Sequence, residues 1–307
     1  MILCVTLNPC VDRTIFVERL ELDKIVAGRR SKCIPGGKGN NVARALKTLG
    51  AAVDSFVLVG GHTGCMVEDM IRDQDGITPF AFWTEAPTRE VVTVVEEGTH
   101  RQAAFKEPGA EVTARERRGL AAMLRALVRG YEWVIFSGSV PSAALDDIYF
   151  ELIGEVRKAG GKAVLDSSGE ALAQGLRAGP YLVKANLEEA GHAVRRRLAG
   201  DAEIWRAAGE MPCGIAAITA GKEGAYVACG EERWRGLPPP VQTVNPVGSG
   251  DSFLGGMVAG LARGEPIEEA LRLAMAAGAA NAMVWDAATF SAEDVAGLVP
   301  GVRIRRA

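Results

Sequence analysis

The stretch Asn245–Gly256, "NPVGSGDSFLGG", sets three small residues, Gly248, Ser249 and Gly250, directly before one acid, Asp251. A small-residue apolar run, "FLGGMVAGLA", follows. A helix starting there exposes backbone N–H groups that have no partner within the helix, and such a start binds anions. An acid in that place either caps the helix or shares the space with a bound anion. Taken alone, Asp251 reads first as a helix-start acid, a contribution of about 0.3–1 kcal/mol.

Other glycine-rich stretches carry related chemistry. "PGGKGNN" (Pro35–Asn41) precedes an amphipathic run but does not fit the GxxxxGK[ST] phosphate loop, and "TAGKEG" fails it as well. "GSGDSF" lacks the third glycine of GxGxxG, with Phe253 in its place, and lies far from a first βα turn. In combination the signals are more specific. "SGSVP" (Ser137–Pro141), "DSSG" (Asp166–Gly169), "KANLEE" (Lys184–Glu189) and "TAGKEGA" (Thr219–Ala225) all follow short apolar runs. In open α/β sheets, ligands bind outside the carboxyl ends of the strands.

The elements that must position these residues alternate along the chain. "ILCVTL", "SFVLVG", "WVIFSGS", "AVLDSS", "YLVKAN" and "GIAAIT" read as buried strands. Between them, "NVARALKTLG" (closing on Gly50), "GCMVEDMIRDQDG", "LDDIYFELIGEVRKAG", "EALAQGLRAG" and "LEEAGHAVRRRL" read as helices. Long helical runs extend from about Ser252 to Trp285. Repeated βα units with strands this apolar predict an α/β fold with a largely parallel sheet covered on both faces. Two stretches break the rhythm: Thr14–Ile34, with short alternating runs, and Glu90–Phe105, a hairpin expected to turn at "EEGTH". A small β-sheet over the strand ends would form a lid. No linker, low-complexity segment or internal repeat interrupts the pattern.

The bulk composition is that of an ordinary globular chain: 307 residues, 48% hydrophobic, 24% charged, formal net charge −3. A basic nucleic-acid footprint is not indicated. The runs at Arg115–Arg118 and Arg195–Arg197 read as solvated helix faces. The cysteines are scattered without CxxC or Cys/His zinc spacing, and the histidines lie far apart, so reduced thiols and a cytoplasmic location are expected. The N-terminus does not read as a signal peptide, and no apolar stretch is long enough to span a membrane.

Taken in order, "TLNPCVD", "GGKGNNVAR", "TRE" (Thr88–Glu90), "EPGAE" (Glu107–Glu111), "SGSVP", "LDSSGEAL", "KANLEE" and "NPVGSGDSFLGG" cover essentially the whole chain. This series resembles the PfkB-type, ribokinase-like sugar kinases, in the branch of 1-phosphofructokinases and tagatose-6-phosphate kinases. The resemblance implies one ribokinase-like α/β/α domain over residues 1–307. Its lid would come from insertions at about 12–35 and 88–107. It implies ATP- and Mg²⁺-dependent phosphorylation of a ketohexose phosphate to a bisphosphate, and a possible homodimer through the lid.

Phosphoryl transfer needs positioning, charge stabilisation and a group that takes the alcohol proton. By resemblance, Asp251 is that base, and the backbone N–H groups of Gly248, Ser249 and Gly250 form the anion hole. Asp12, Gly37, Lys38, Asn41, Arg89 and Ser137 are implied at the sugar, with Arg89 on the phosphate it already carries. Lys38 and Arg89 read equally as solvated surface cations, and Asp12 as a turn acid. Lys184, Asn186, Thr219, Gly221, Gly224 and Asn281 are implied at the nucleotide, and Asn186 and Glu189 at Mg²⁺ through water. The chain departs from the pattern at Ala185, usually Pro, at Asn40, usually apolar, and at Val26–Ala27, where many relatives carry a polar pair. Thr93 stands where many 1-phosphofructokinases carry Lys. "NPVGSGD" looks more like tagatose-6-phosphate kinases. The competing readings are a kinase of an unphosphorylated sugar or nucleoside, and a non-catalytic sugar- or nucleotide-binding protein on the same fold.

Overall fold

The computed structural model describes residues 1–99 and 101–307. The first third of the chain holds β1 (Ile2–Thr6), β2 (Cys10–Val17), β3 (Gly28–Gly36), α1 (Lys38–Thr48), β4 (Val53–Gly60), α2 (Gly61–Asp73), β5 (Thr78–Thr84), β6 (Glu90–Glu96) and β7 (Gln102–Lys106). There follow α3 (Ala114–Leu127), β8 (Trp133–Ser137), α4 (Ile148–Lys158), β9 (Lys162–Asp166), α5 (Gly169–Arg177), β10 (Leu182–Asn186), α6 (Leu187–Ala193), α7 (Asp201–Glu210) and β11 (Ile215–Thr219). The chain ends with β12 (Ala225–Cys229), β13 (Glu232–Leu237), α8 (Ser249–Ala262), α9 (Ile267–Ala282), α10 (Ala292–Leu298) and β14 (Arg303–Arg306).

Apolar runs such as "ILCVT" are buried along their whole length, and successive residues serve opposite faces. Ile2 and Cys4 enter one core with residues of α1, α8 and α9, whereas Leu3 and Val5 enter the other with residues of α3, α4 and α5. The result is a three-layer α/β/α body around a ten-stranded sheet of order β14-β13-β12-β11-β10-β9-β8-β1-β4-β5. From β5 to β11 every pairing is parallel, so the carboxyl ends of these strands open on one side. The three strands β12 to β14 extend the sheet antiparallel, a part the βα rhythm did not announce. Among the described residues no helix is long and apolar enough to cross a membrane.

The two β-rich stretches form a separate four-stranded sheet of order β3-β2-β6-β7. The hairpin expected over Glu90–Phe105 is the antiparallel pair β6–β7; at its turn, His100 lies outside the described residues. The helix expected through Leu198 stops at Ala193. Arg195 adopts φ 55, so the run Arg195–Arg197 lies on the turn after α6 and not on a helix face. The helical stretch expected from Ser252 to Trp285 is two helices, parted by Gly264 at φ 79 and by Pro266.

The helices α8 and α9 pack backbone to backbone. A Cβ on Gly256 would stand 2.7 Å from Ala274 Cα, and one on Gly260 would stand 2.7 Å from Ala270 Cα. This contact fixes the axis of α8 and so the place of Asp251 in its first turn. Gly256→Val is expected to destabilise the fold by about 1–3 kcal/mol through overpacking, measured by urea denaturation; an unchanged midpoint would show that the contact is loose.

Candidate active site

The carboxyl ends of β8, β9 and β10 and the starts of α1, α6 and α8 bring five charged side chains together. Asp166 closes β9 and is fully buried. Its Oδ1 accepts from Lys38 Nζ at 3.1 Å and from Lys184 Nζ at 3.3 Å; its Oδ2 accepts from Ser137 Oγ at 3.3 Å. Lys38, in the first turn of α1, also donates to Glu189 Oε1 at 2.9 Å. Asp251, buried in the first turn of α8, accepts from Asn41 Nδ2 at 2.8 Å.

The electrostatics follow from this crowding. Burial and the neighbouring Asp166 carboxylate push Asp251 up to about 6, against the pull of Lys184, Lys38 and the Asn41 hydrogen bond. Burial would likewise raise Asp166, but Lys184 and Lys38 hold it below the usual carboxylate range. Burial alone would lower Lys38; the carboxylates of Asp166, Glu189 and Asp251 raise it instead. Two acids in similar burial are thus driven apart. The one that touches both ammonium groups stays ionised, and the other titrates close to neutrality.

The start of α8 is held from behind. Gly248 is left-handed at φ 84, and a Cβ there would meet Ala287 Cβ at 2.6 Å. Asn281 is fully buried and spends its amide on this turn. Its Nδ2 donates to the Val247 carbonyl at 2.8 Å and to Ser249 Oγ at 3.0 Å, while its Oδ1 accepts from Ser252 Oγ and Ala288 N. Asn281, expected at the nucleotide, thus clamps this turn. Of the backbone trio expected at the anion, one N–H is taken up within the chain. Ser249 N–H closes onto the Pro246 carbonyl, and the first intrahelical bond reaches only from Ser252 N to Gly248 O. Among the donors of the first turn this leaves Gly250 and Asp251 N–H without a helix carbonyl. A Cβ on Gly250 would lie 2.9 Å from Lys184 Nζ, which places the ammonium against these donors.

Arg44 supports Asn41 from the body of α1. It donates to Asn41 Oδ1 at 3.3 Å, pairs with both oxygens of Asp75 and reaches the carbonyls of Pro35 and Ala287. Asn41, expected at sugar hydroxyls, thus hydrogen-bonds Asp251. Ser137, expected at the sugar, is fully buried under Asp166, and the neighbour two residues on, Ser139, lines the cavity and accepts from Asn8 Nδ2 at 3.1 Å.

That cavity, about 470 Å³, lies between the strand ends and the second sheet. Asp12, Gly37, Lys38, Arg89 and Glu189 line it, as do three residues that the motifs did not single out: Asp286, Ser139 and Lys106. Burial and Asp286 raise Asp12 above its usual range, against Arg44 and Lys106. Asn186 and Glu189 form a reciprocal cap at α6, each side chain accepting from the other's backbone N–H at 2.8 Å. Thr219, Gly221 and Gly224 stand apart, on the turn between β11 and β12. Gly224 (φ 93) is required there because a Cβ would fall 2.0 Å from the Gly236 carbonyl oxygen. A wider hollow of about 1100 Å³ lies outside α5 and α6, and apart from Glu188 next to Glu189 it receives none of the residues at the strand ends. The hub, Asp166, was legible in "AVLDSS" as an acid closing an apolar strand, but nothing in the spacing announced its two lysine partners.

Comparison with known proteins gives one consistent match. The model of the pfkB family carbohydrate kinases matches residues 5–291. The chain is 30% identical to tagatose-6-phosphate kinase of Staphylococcus epidermidis, over 92% of each chain. It is also 30% identical to 1-phosphofructokinase of Bacillus subtilis, over 100% of each. The structure of Escherichia coli phosphofructokinase-2 in complex with fructose-6-phosphate superposes with a TM-score of 0.88, at 28% identity, covering 97% of this chain and 98% of that one.

The Asp166 hub sets a stability test. Asp166→Asn removes the charge partner of Lys184, whose side chain is 4% exposed. A loss of about 3 kcal/mol is expected, read from urea unfolding; a variant as stable as the parent would remove the hub from the account.

Proposed function

The chain belongs to the pfkB family of carbohydrate kinases, and on that premise we propose that it transfers the γ-phosphoryl group of ATP to a ketohexose phosphate, giving a bisphosphate. The observation that carries the reading is Asp251: a buried carboxylate raised to about 6, set beside free backbone donors at a helix start. A base poised near neutrality takes a proton from an alcohol more effectively than an ordinary aspartate. Asn41 aims its carboxyl group, and Lys184 with the Gly250 and Asp251 N–H groups faces the charge that develops on the phosphoryl oxygens. Gly37, Asp12 and Arg89 line the cavity, and in this reading Gly37 and Asp12 hold sugar hydroxyls and Arg89 the sugar's own phosphate. Thr219, Gly221 and Gly224 form the turn against which the nucleotide would lie.

One carboxylate and one amide oxygen at the start of α6 suit Mg²⁺, which keeps most of its waters and is held chiefly by phosphates. Asn186 and Glu189 would hold it through water, where it would neutralise phosphate charge. The second sheet, residues about 12–35 and 88–107 in a single domain, serves as a lid in this reading. Its edge strands β3 and β7 are open to pairing with a second copy. A dimer is therefore expected in solution scattering, and a monomeric mass would reject it. Between substrates, Thr93 and the "NPVGSGD" turn favour tagatose 6-phosphate over fructose 1-phosphate. The unpaired cysteines fit a cytoplasmic setting.

ADP release across tagatose 6-phosphate, fructose 1-phosphate, fructose 6-phosphate, ribose and adenosine, with ATP and Mg²⁺, tests the reading. Turnover on a hexose phosphate is expected, with kcat lowered about 10²–10⁴-fold in Asp251→Asn. The base must be ionised, so kcat/KM should fall about tenfold per pH unit below about pH 6. Turnover only on ribose or adenosine would move the substrate class; none at all would favour a binding protein; an Asp251→Asn variant as fast as the parent would remove Asp251 from the mechanism.

A further inference from the structure

The cation missing at Thr93 has a counterpart on the neighbouring strand. In the second sheet, Asp12 of β2 pairs with Val91 of β6, and Val91 pairs with Lys106 of β7. Residues paired in this way share a face, and all three line the cavity. Arg89 and Thr93, two residues either side of Val91, are then the diagonal neighbours of Lys106 and point the same way, at roughly 7–8 Å. Both also line the cavity.

Two cations therefore stand side by side on one wall. Lys38 in the cavity pairs with Asp166 and Glu189, and Asp286 with Lys32; Asp12 has no ion pair among the described residues and feels Lys106 only at a distance. Among the described residues, neither Arg89 nor Lys106 has an acid within ion-pair distance. Arg89 donates only to backbone carbonyls, to Asn8 O at 3.2 Å and Glu107 O at 3.5 Å, and its buried Nε has no partner. Unmatched like charges at neighbouring positions of a sheet oppose folding, and an orphaned guanidinium nitrogen leaves a donor unpaid. An anion between the two cations would satisfy both. It would stand on the lid side of the cavity, with Asp12 two strands (about 10 Å) away to take hydroxyls.

We propose that Lys106 and Arg89 form a two-cation clamp for the phosphate already carried by the substrate, with Lys106 in β7 replacing the charge that Thr93 lacks in β6. The clamp rests on the hexose-phosphate reading and assigns its selectivity to a residue outside the recognisable motifs. A planar guanidinium and a point-charge ammonium together hold a dianion from two sides. Lys106 is exposed at the end of an edge strand, so its replacement leaves the cores untouched.

The test compares kcat/KM on tagatose 6-phosphate with that on unphosphorylated tagatose in the full-length enzyme. Lys106→Met should lower this ratio about tenfold or more, mainly through KM for the phosphosugar. Lys106→Arg should keep most of it. Adding Thr93→Lys to Lys106→Met should restore it, because both positions face the same anion. In parallel, thermal protection by inorganic phosphate should weaken in Lys106→Met. An unchanged ratio and unchanged protection in Lys106→Met would overturn the clamp while leaving the kinase reading in place. A parent enzyme that turns over tagatose but no hexose phosphate would overturn that reading, and the clamp with it. Loss of the ratio without rescue by Thr93→Lys would contradict the shared-face placement.

Discussion

Everything at the strand ends depends on how two buried carboxylates share two ammonium groups. Asp166 takes direct bonds from both Lys38 and Lys184, and Asp251 receives only their longer-range field. A buried charge without a partner costs several kcal/mol, so the arrangement has one economical state: Asp166 ionised, Asp251 poised. Moving either lysine would collapse the difference between the two acids. The requirement explains why Ser137, Asp166 and Lys184 lie in register on β8, β9 and β10, and why α1 and α8 must begin within reach of the same point.

A parallel sheet supplies that convergence without special devices. Its strands all end on one side, and the helices that follow start there with unpaired N–H groups. The particular additions are the contacts that stop these starts from shifting. Asn281 makes four hydrogen bonds that tie the turn before α8, the first turn of α8 and the loop after α9 together, and Arg44 ties α1 to that loop through the Ala287 carbonyl. The glycine contacts between α8 and α9 set the helix axis itself. None of these residues needs to touch a ligand to govern where Asp251 sits.

The sequence made the body of the fold readable, because apolar strand runs and amphipathic helices carry their period in the residues themselves. Asp251 was readable as a helix-start acid, whereas Lys38 and Arg89 were singled out only through the resemblance of their motifs. What could not be read were pairings set by register and burial. Ser137 and Ser139 are equally plausible in "SGSVP"; only the inward turn of the last β8 residue buries the first and leaves the second in the cavity. Asn281 was placed at the nucleotide by resemblance alone, and its hydrogen bonds to the turn before α8 could not be read from the chain. Lys106 was invisible because its neighbour Arg89 is seventeen positions away in the chain and adjacent only across β6 and β7. The charged strands β13 and β14 escaped notice because an edge strand need not be apolar.

In the proposed function the second sheet selects and the strand ends react, and one cavity is lined by both. Chemistry at the strand ends rests on the poise of one carboxyl group, and that can be observed without substrate. In protein labelled with ¹³C at aspartate carboxyls, the Asp251 resonance, assigned by its loss in Asp251→Asn, should titrate near pH 6. Titration in the ordinary aspartate range, around 4, would show that the two acids are not driven apart and would contradict the account.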